Sequence, residues 1–172
     1  MTESEAREFV TKFAAAWAAR DGNAFLALWH PDGKLHSPFY DRVVPLAWPL
    51  VRVAVGWDLI VHGWGKILRG PVQQAALLSR DGTDFGVTFA VFLTFIEFVG
   101  GICIALGLFT RFFAAAIAIE MGYLTFVQYW SHGFSWLNRG YEYVLLWGLV
   151  TLAIALRGGG PYSLDRKIGR EL

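Results

Sequence analysis

Cysteine occurs once in the 172 residues, at Cys103. A single thiol rules out an internal disulfide, a CxxC redox pair and a cysteine-rich metal site. Its place within an apolar run suits an inert, buried side chain better than a reactive one. Charge is scarce too: Asp, Glu, Lys and Arg make up 17% of the chain, against about 25% in ordinary soluble proteins. Acids and bases nearly cancel, leaving a net +1. No basic patch with interleaved aromatics occurs, so no nucleic acid is expected as a partner. A phosphate loop is missing as well, because Gly65-Lys66 is followed by Ile67 and the place of the first glycine holds Ile60. The opening MTESEAREF is acidic and lacks the apolar core of a signal peptide. The first hydrophobic run is therefore the expected targeting signal.

What the chain has in quantity is apolar length. The hydrophobic fraction is 55% and mean hydropathy is +0.43, although the first 42 residues are polar. Four runs, at about 45–68, 85–109, 112–130 and 141–157, approach or exceed the roughly 20 residues that cross a bilayer. The turn at Thr110-Arg111 is so short that the second and third runs must be antiparallel neighbours. The expected fold is an all-α integral membrane protein, an antiparallel four-helix transmembrane bundle preceded by a short amphipathic helical segment over residues 1–44. Lipid is then the first partner. Lys and Arg are denser on the side of the flanks carrying Arg42, Arg111, Arg157, Arg166, Lys167 and Arg170, which predicts both termini in the cytoplasm.

In the amino-terminal segment, Thr2 and Glu5 form a capping-box pattern. Phe9, Phe13 and Trp17 repeat every fourth residue, and Asp21-Gly22 ends that helix. A second short helix, about Ala24 to Trp29, stops at His30-Pro31-Asp32-Gly33, after which KLHSPF reads as extended. His30 and His36 have no cysteine or paired acid at ligand spacing, so no metal is expected. The string FVTKFAAAWAARDGNAFLALWHPDGKLHSPFYDR resembles the opening of the SnoaL-like, NTF2-like cone fold. The remaining curved sheet is absent, so no cavity or catalytic residue carries over.

The ionisable residues inside the apolar runs are the informative ones. A charge near the bilayer centre costs at least about 2.5–3.5 kcal/mol, yet the first run holds Arg52, Asp58, His62 and Lys66. The last three are spaced i, i+4, i+8, one polar stripe on a helix that must face the bundle interior. Glu97 and Glu120 lie mid-run, and Glu142 opens the fourth. Arg52 and Arg111, close to the expected cytoplasmic boundary, can snorkel. With Glu120 they are read as structural charges, and Gly100 and Gly101 as points of close helix packing. For Asp58, His62, Lys66, Glu97 and Glu142 two readings stand: ion pairs that fix bundle register, or acids beside a histidine that take up and release protons. A haem on His62 would need a second histidine at equal depth, and His132 falls outside the expected spans.

The runs VRVAVGWDLIVHGWGKIL, FIEFVGGICIALGLFTRFFAA and GYEYVLLWGLVTLAIALRGGGPYSLD resemble the DoxX family of small four-span membrane proteins over about residues 46–168. The matching positions are His62, Gly63, Gly65 and Lys66, then Glu97, Gly100, Gly101, Gly107, Thr110 and Arg111, then Glu142, and finally Ser163, Leu164 and Asp165. Glu120 departs from the pattern, where an apolar residue is commoner, and the amino-terminal segment is an addition. The resemblance implies a bacterial inner-membrane subunit of a quinone-linked oxidoreductase complex, receiving electrons from a partner subunit. Its site would draw on His62, Lys66, Glu97 and Glu142, with Asp58 orienting His62 and Trp64 helping to form a quinone pocket. The alternatives are a non-catalytic membrane anchor or assembly subunit and, third, a proton-coupled transporter, for which four spans are few.

Overall fold

The computed structural model describes residues 2–28, 38–79 and 86–169, with the side chains of 38–40 excepted. Among these residues every regular element is helical and no strand occurs. The chain forms two compact units, Met1–Asp41 and Arg42–Leu172.

The first unit is a helical hairpin. Helix α1 (Glu3–Ala19) begins with the capping box, Thr2 N–H donating to Glu5 at 2.6 Å while the Thr2 hydroxyl accepts from the Glu5 N–H. It ends at Arg20 in the left-handed region, φ 52°. Asp21 then caps α2 (Gly22–Ala27) by accepting from the N–H groups of Asn23 and Ala24. Phe9, Phe13, Trp17 and Phe25 make one aromatic cluster. Ala16 is the only buried residue of the two helices. His30, His36 and most of the expected extended stretch lie outside the described residues. Pro38 and Phe39, expected to be extended, instead open a helix.

That helix, α3 (Pro38–Arg69), is longer than its apolar run because Pro45 and Pro49 lie inside it rather than at its start. A proline removes one backbone donor, a loss that a long helix tolerates when the freed carbonyl finds another partner. Three helical stretches are long and apolar enough to cross a membrane: Asp41–Arg69, Gly86–Leu106 and Thr110–Gln128. The 16 residues of α7 (Glu142–Arg157) rise about 24 Å, short of the roughly 30 Å hydrocarbon core. Helix α4 (Pro71–Leu78) starts on a proline at its first turn and packs on α5 (Gly86–Leu106).

Gly107 and Phe109, with φ of 72° and 47°, turn the chain from α5 into α6 (Thr110–Tyr123), so those two helices run antiparallel. Beyond Tyr123 the winding loosens into a π-helical turn, Leu124–Gln128, closed by Tyr129 N–H donating to Leu124 O at 2.9 Å. Helix α7 returns along α6 and packs closely on it. Glycines let α3 approach α5: a Cβ on Gly56 would stand 2.5 Å from Gly101 O, and one on Gly101 would stand 2.8 Å from Gly56 O. Val55, Leu59, Ile96, Ile104, Phe113, Ile117 and Ile154 fill the core between the helices.

At one end the carboxyl-terminal segment folds back beneath α5 and α6. Asp165, at the start of α8 (Leu164–Ile168), accepts from the N–H of Phe109 (2.8 Å), the N–H of Thr110 (3.0 Å) and the Thr110 hydroxyl (2.7 Å). Arg52 does not snorkel. It is 2% exposed and donates to Gly159 O at 2.6 Å and Tyr162 O at 3.3 Å, because the returning chain brings carbonyls to it before water can reach it. Arg111 donates to the last carbonyls of α7, Ala155 O and Leu156 O, which no further helical turn satisfies.

Candidate functional site: a cavity beside a buried ion cluster

At the other end of α3 the i, i+4, i+8 stripe divides by environment. Lys66 is inside, its ammonium 2.6 Å from Glu97 Oε1 and 3.7 Å from Glu120 Oε1, with side-chain exposures of 13%, 4% and 5%. Three helices thus contribute one charge each. The second oxygens, Glu97 Oε2 and Glu120 Oε2, are buried without a hydrogen-bond partner, and the two carboxyls are close enough to act on each other. A cluster of two carboxyls and one ammonium carries a net negative charge if all three ionise. Burying a net charge is costly.

A cavity of about 610 Å³ opens alongside, within the roughly 300–1,000 Å³ of small-molecule pockets. Asp58, His62, Lys66, Gln74, Glu97 and Tyr143 form its polar wall, and Leu59, Met121, Leu124 and Val144 its apolar one. His132, Trp136 and Arg139 line its exposed side. The π-helical turn supplies Leu124 and Gln128; widened turns of this kind recur where helices meet ligands. Asp58 is held between two partners, the Tyr143 hydroxyl donating to its oxygens at 3.2 Å and His62 Nε2 lying 3.7 Å away. Gln74 is buried on α4 with its Oε1 unbonded.

The expected site residues therefore fall into groups. Asp58, His62, Lys66 and Glu97 share the cavity wall. Glu120, read from the sequence as structural, joins them through Lys66. Glu142 is not on that wall: its carboxylate accepts from Trp136 N–H at 3.2 Å and steadies the loop before α7. Trp64 also lies elsewhere, half-exposed and facing Phe98, since a residue two places from His62 is turned about 200° away on a helix. Gly101 meets α3, and Gly100 faces Phe113 of α6. Sequence reasoning missed Tyr143 and Gln74. Tyr143 follows Glu142 directly, and Gln74 lies in α4 between the first two apolar runs, but neither has a spacing that marks it.

Long apolar helices, apolar side chains turned outward from them and ionisable groups kept inside define a helical, multi-pass membrane protein. The DoxX family model matches residues 47–130. A Haemophilus influenzae protein described only as uncharacterized is 31% identical over 134 residues, which cover 76% of this chain and 97% of that one. The chain belongs to the DoxX family. No solved structure matches it.

Proposed function

We propose that the protein is a quinone-binding subunit of a bacterial inner-membrane oxidoreductase complex, with the cavity beside Lys66 as the quinone site. The observation that carries this reading is a buried Lys66–Glu97–Glu120 cluster on the wall of a half-apolar cavity. Reducing a quinone to a quinol takes up two electrons and two protons. The chain has no motif for a redox centre, so the electrons come from a partner subunit and this chain manages protons. The cluster is electroneutral when its two carboxyls hold one proton between them, which Glu97 can pass to a ring oxygen in the cavity. Asp58, His62 and Tyr143 line the same cavity and can replace the proton from water. Leu59 and Val144 give the ring an apolar slot.

In this reading α7, with residues flanking it, crosses as a fourth span. Both termini then lie in the cytoplasm and the cavity toward the outer face, a reading that the denser Lys and Arg flanks support. Quinones quench tryptophan fluorescence, and Trp136 and Trp147 line the cavity. Titrating a short-chain quinone into the protein in nanodiscs should give saturable quenching. Val144→Trp, which fills the cavity, should abolish the saturable phase, and Trp64→Phe should leave it intact. Quenching that stays linear in all three would sink the quinone site and favour a membrane anchor without catalysis.

A further inference from the structure

Among the described residues, the two helices at the amino terminus carry an aromatic face that stands largely exposed. Phe9, Phe13 and Trp17 lie one turn apart on α1, and Phe25 of α2 packs at a tilt into the same cluster. Trp17 is 70% exposed, with Val10 and Leu26 similarly open. At 100° per residue the ion pairs Glu3–Arg7 and Glu8–Lys12, each 2.7 Å, fall on the two flanks of this stripe. Hydrogen bonding to Lys12, and its charge, hold the Glu8 carboxyl below its usual range. Each flank thus neutralises itself. Over residues 2–28 there are four acids and three bases, so the unit offers no field of either sign to a charged partner.

We propose that this face is a membrane-interface anchor, seated at the headgroup–acyl boundary of the bilayer that α3 enters. Three observations favour lipid as the occupant. Indole and phenyl rings grouped on one helix face, with charges at its margins, are the chemistry of interfacial helices. The membrane is already this chain's solvent: the apolar stretch Asp41–Arg69 begins shortly after α2 ends. The chain from Leu28 to Asp41 reaches at most about 45 Å even fully extended, so the face is never far from a bilayer, and tethering replaces intrinsic affinity. Near-neutral charge further implies insertion without any requirement for anionic lipid.

The test uses the full chain in nanodiscs of phosphatidylcholine alone. A nitroxide is placed at Val10→Cys, on the stripe, or at Ala15→Cys, on the opposite and exposed side of α1, each in a Cys103→Ala background. The ratio of collisions with oxygen to collisions with a water-soluble nickel chelate reports depth. The expected result is a several-fold higher ratio at position 10 than at 15, unchanged when anionic lipid is added. Equal, water-like ratios at both positions would overturn the proposal and leave the face for a protein partner. Spin–spin broadening at position 10 would overturn it in favour of a second copy of the chain. Because the nanodisc holds no quinone, failure here is independent of the cavity reading.

Discussion

Lys66 is the residue on which the charge balance of the interior turns. Its ammonium faces two carboxyls that have little contact with water, so removing it strands negative charge where neither solvent nor another base reaches. Breaking a buried pair from one side costs roughly 3–5 kcal/mol, whereas removing both charges is often nearly neutral. Lys66→Met should therefore lower Tm in detergent sharply. Lys66→Met with Glu97→Gln and Glu120→Gln should recover most of the loss. Thermal unfolding of the full cycle measures the coupling, and simple additivity would mean that the cluster contributes nothing as a unit. The spacing of Asp58, His62 and Lys66 was readable in the sequence as one stripe. Its partition was not: His62 and Asp58 face the open side while Lys66 meets α5 and α6, because burial depends on helices far away in sequence. Glu120 was read as a structural charge for the same reason, since only the antiparallel return of α6 brings it to Lys66.

Among the elements, the approach of α3 to α5 sets the geometry that the cluster needs. Gly101 has no room for even a methyl group, since its Cβ would meet Gly56 O, Ile60 N and Leu59 Cβ at 3.0 Å or less. Backbone stands on the other side, so the helices themselves must move. Gly101→Ala should cost about 1–3 kcal/mol through overpacking and should loosen the Lys66–Glu97 contact. Gly65 is the control: a Cβ there meets nothing within 4 Å, and in a helix interior alanine gains about 0.5–1 kcal/mol over glycine. Gly65→Ala should be neutral or stabilising in the same assay, and a loss equal to that of Gly101→Ala would show that the packing argument is misplaced. The helices themselves were legible from apolar length, and the α5–α6 turn from its brevity. Less visible were the extension of α3 through Pro45 and Pro49 and the π-helical turn at Leu124–Gln128. Both depend on how freed backbone groups find partners in three dimensions, which no periodicity records.

For the membrane unit as a whole, the two ends carry different work. Around Arg52 and Asp165 every strong contact is internal: a guanidinium taken up by the carbonyls of Gly159 and Tyr162, and a carboxylate spent on the first N–H groups of α6. Around Lys66 a cavity remains and buried oxygens go unbonded. An end where Arg52 Nε alone of the described buried side-chain atoms goes unbonded is suited to holding helices together, and an end that leaves room and valence is suited to a ligand. The separation is testable through Asp165→Ala, which removes three hydrogen bonds and the cap of α6, worth roughly 2 kcal/mol or more. It should lower Tm by several degrees while the saturable quinone quenching of the folded protein keeps its Kd. A shifted Kd would mean that the latch shapes the cavity through α6, whose first residue it holds and whose Glu120 reaches Lys66. An unchanged Kd beside a lowered Tm would place binding and cohesion at opposite ends of the same helices.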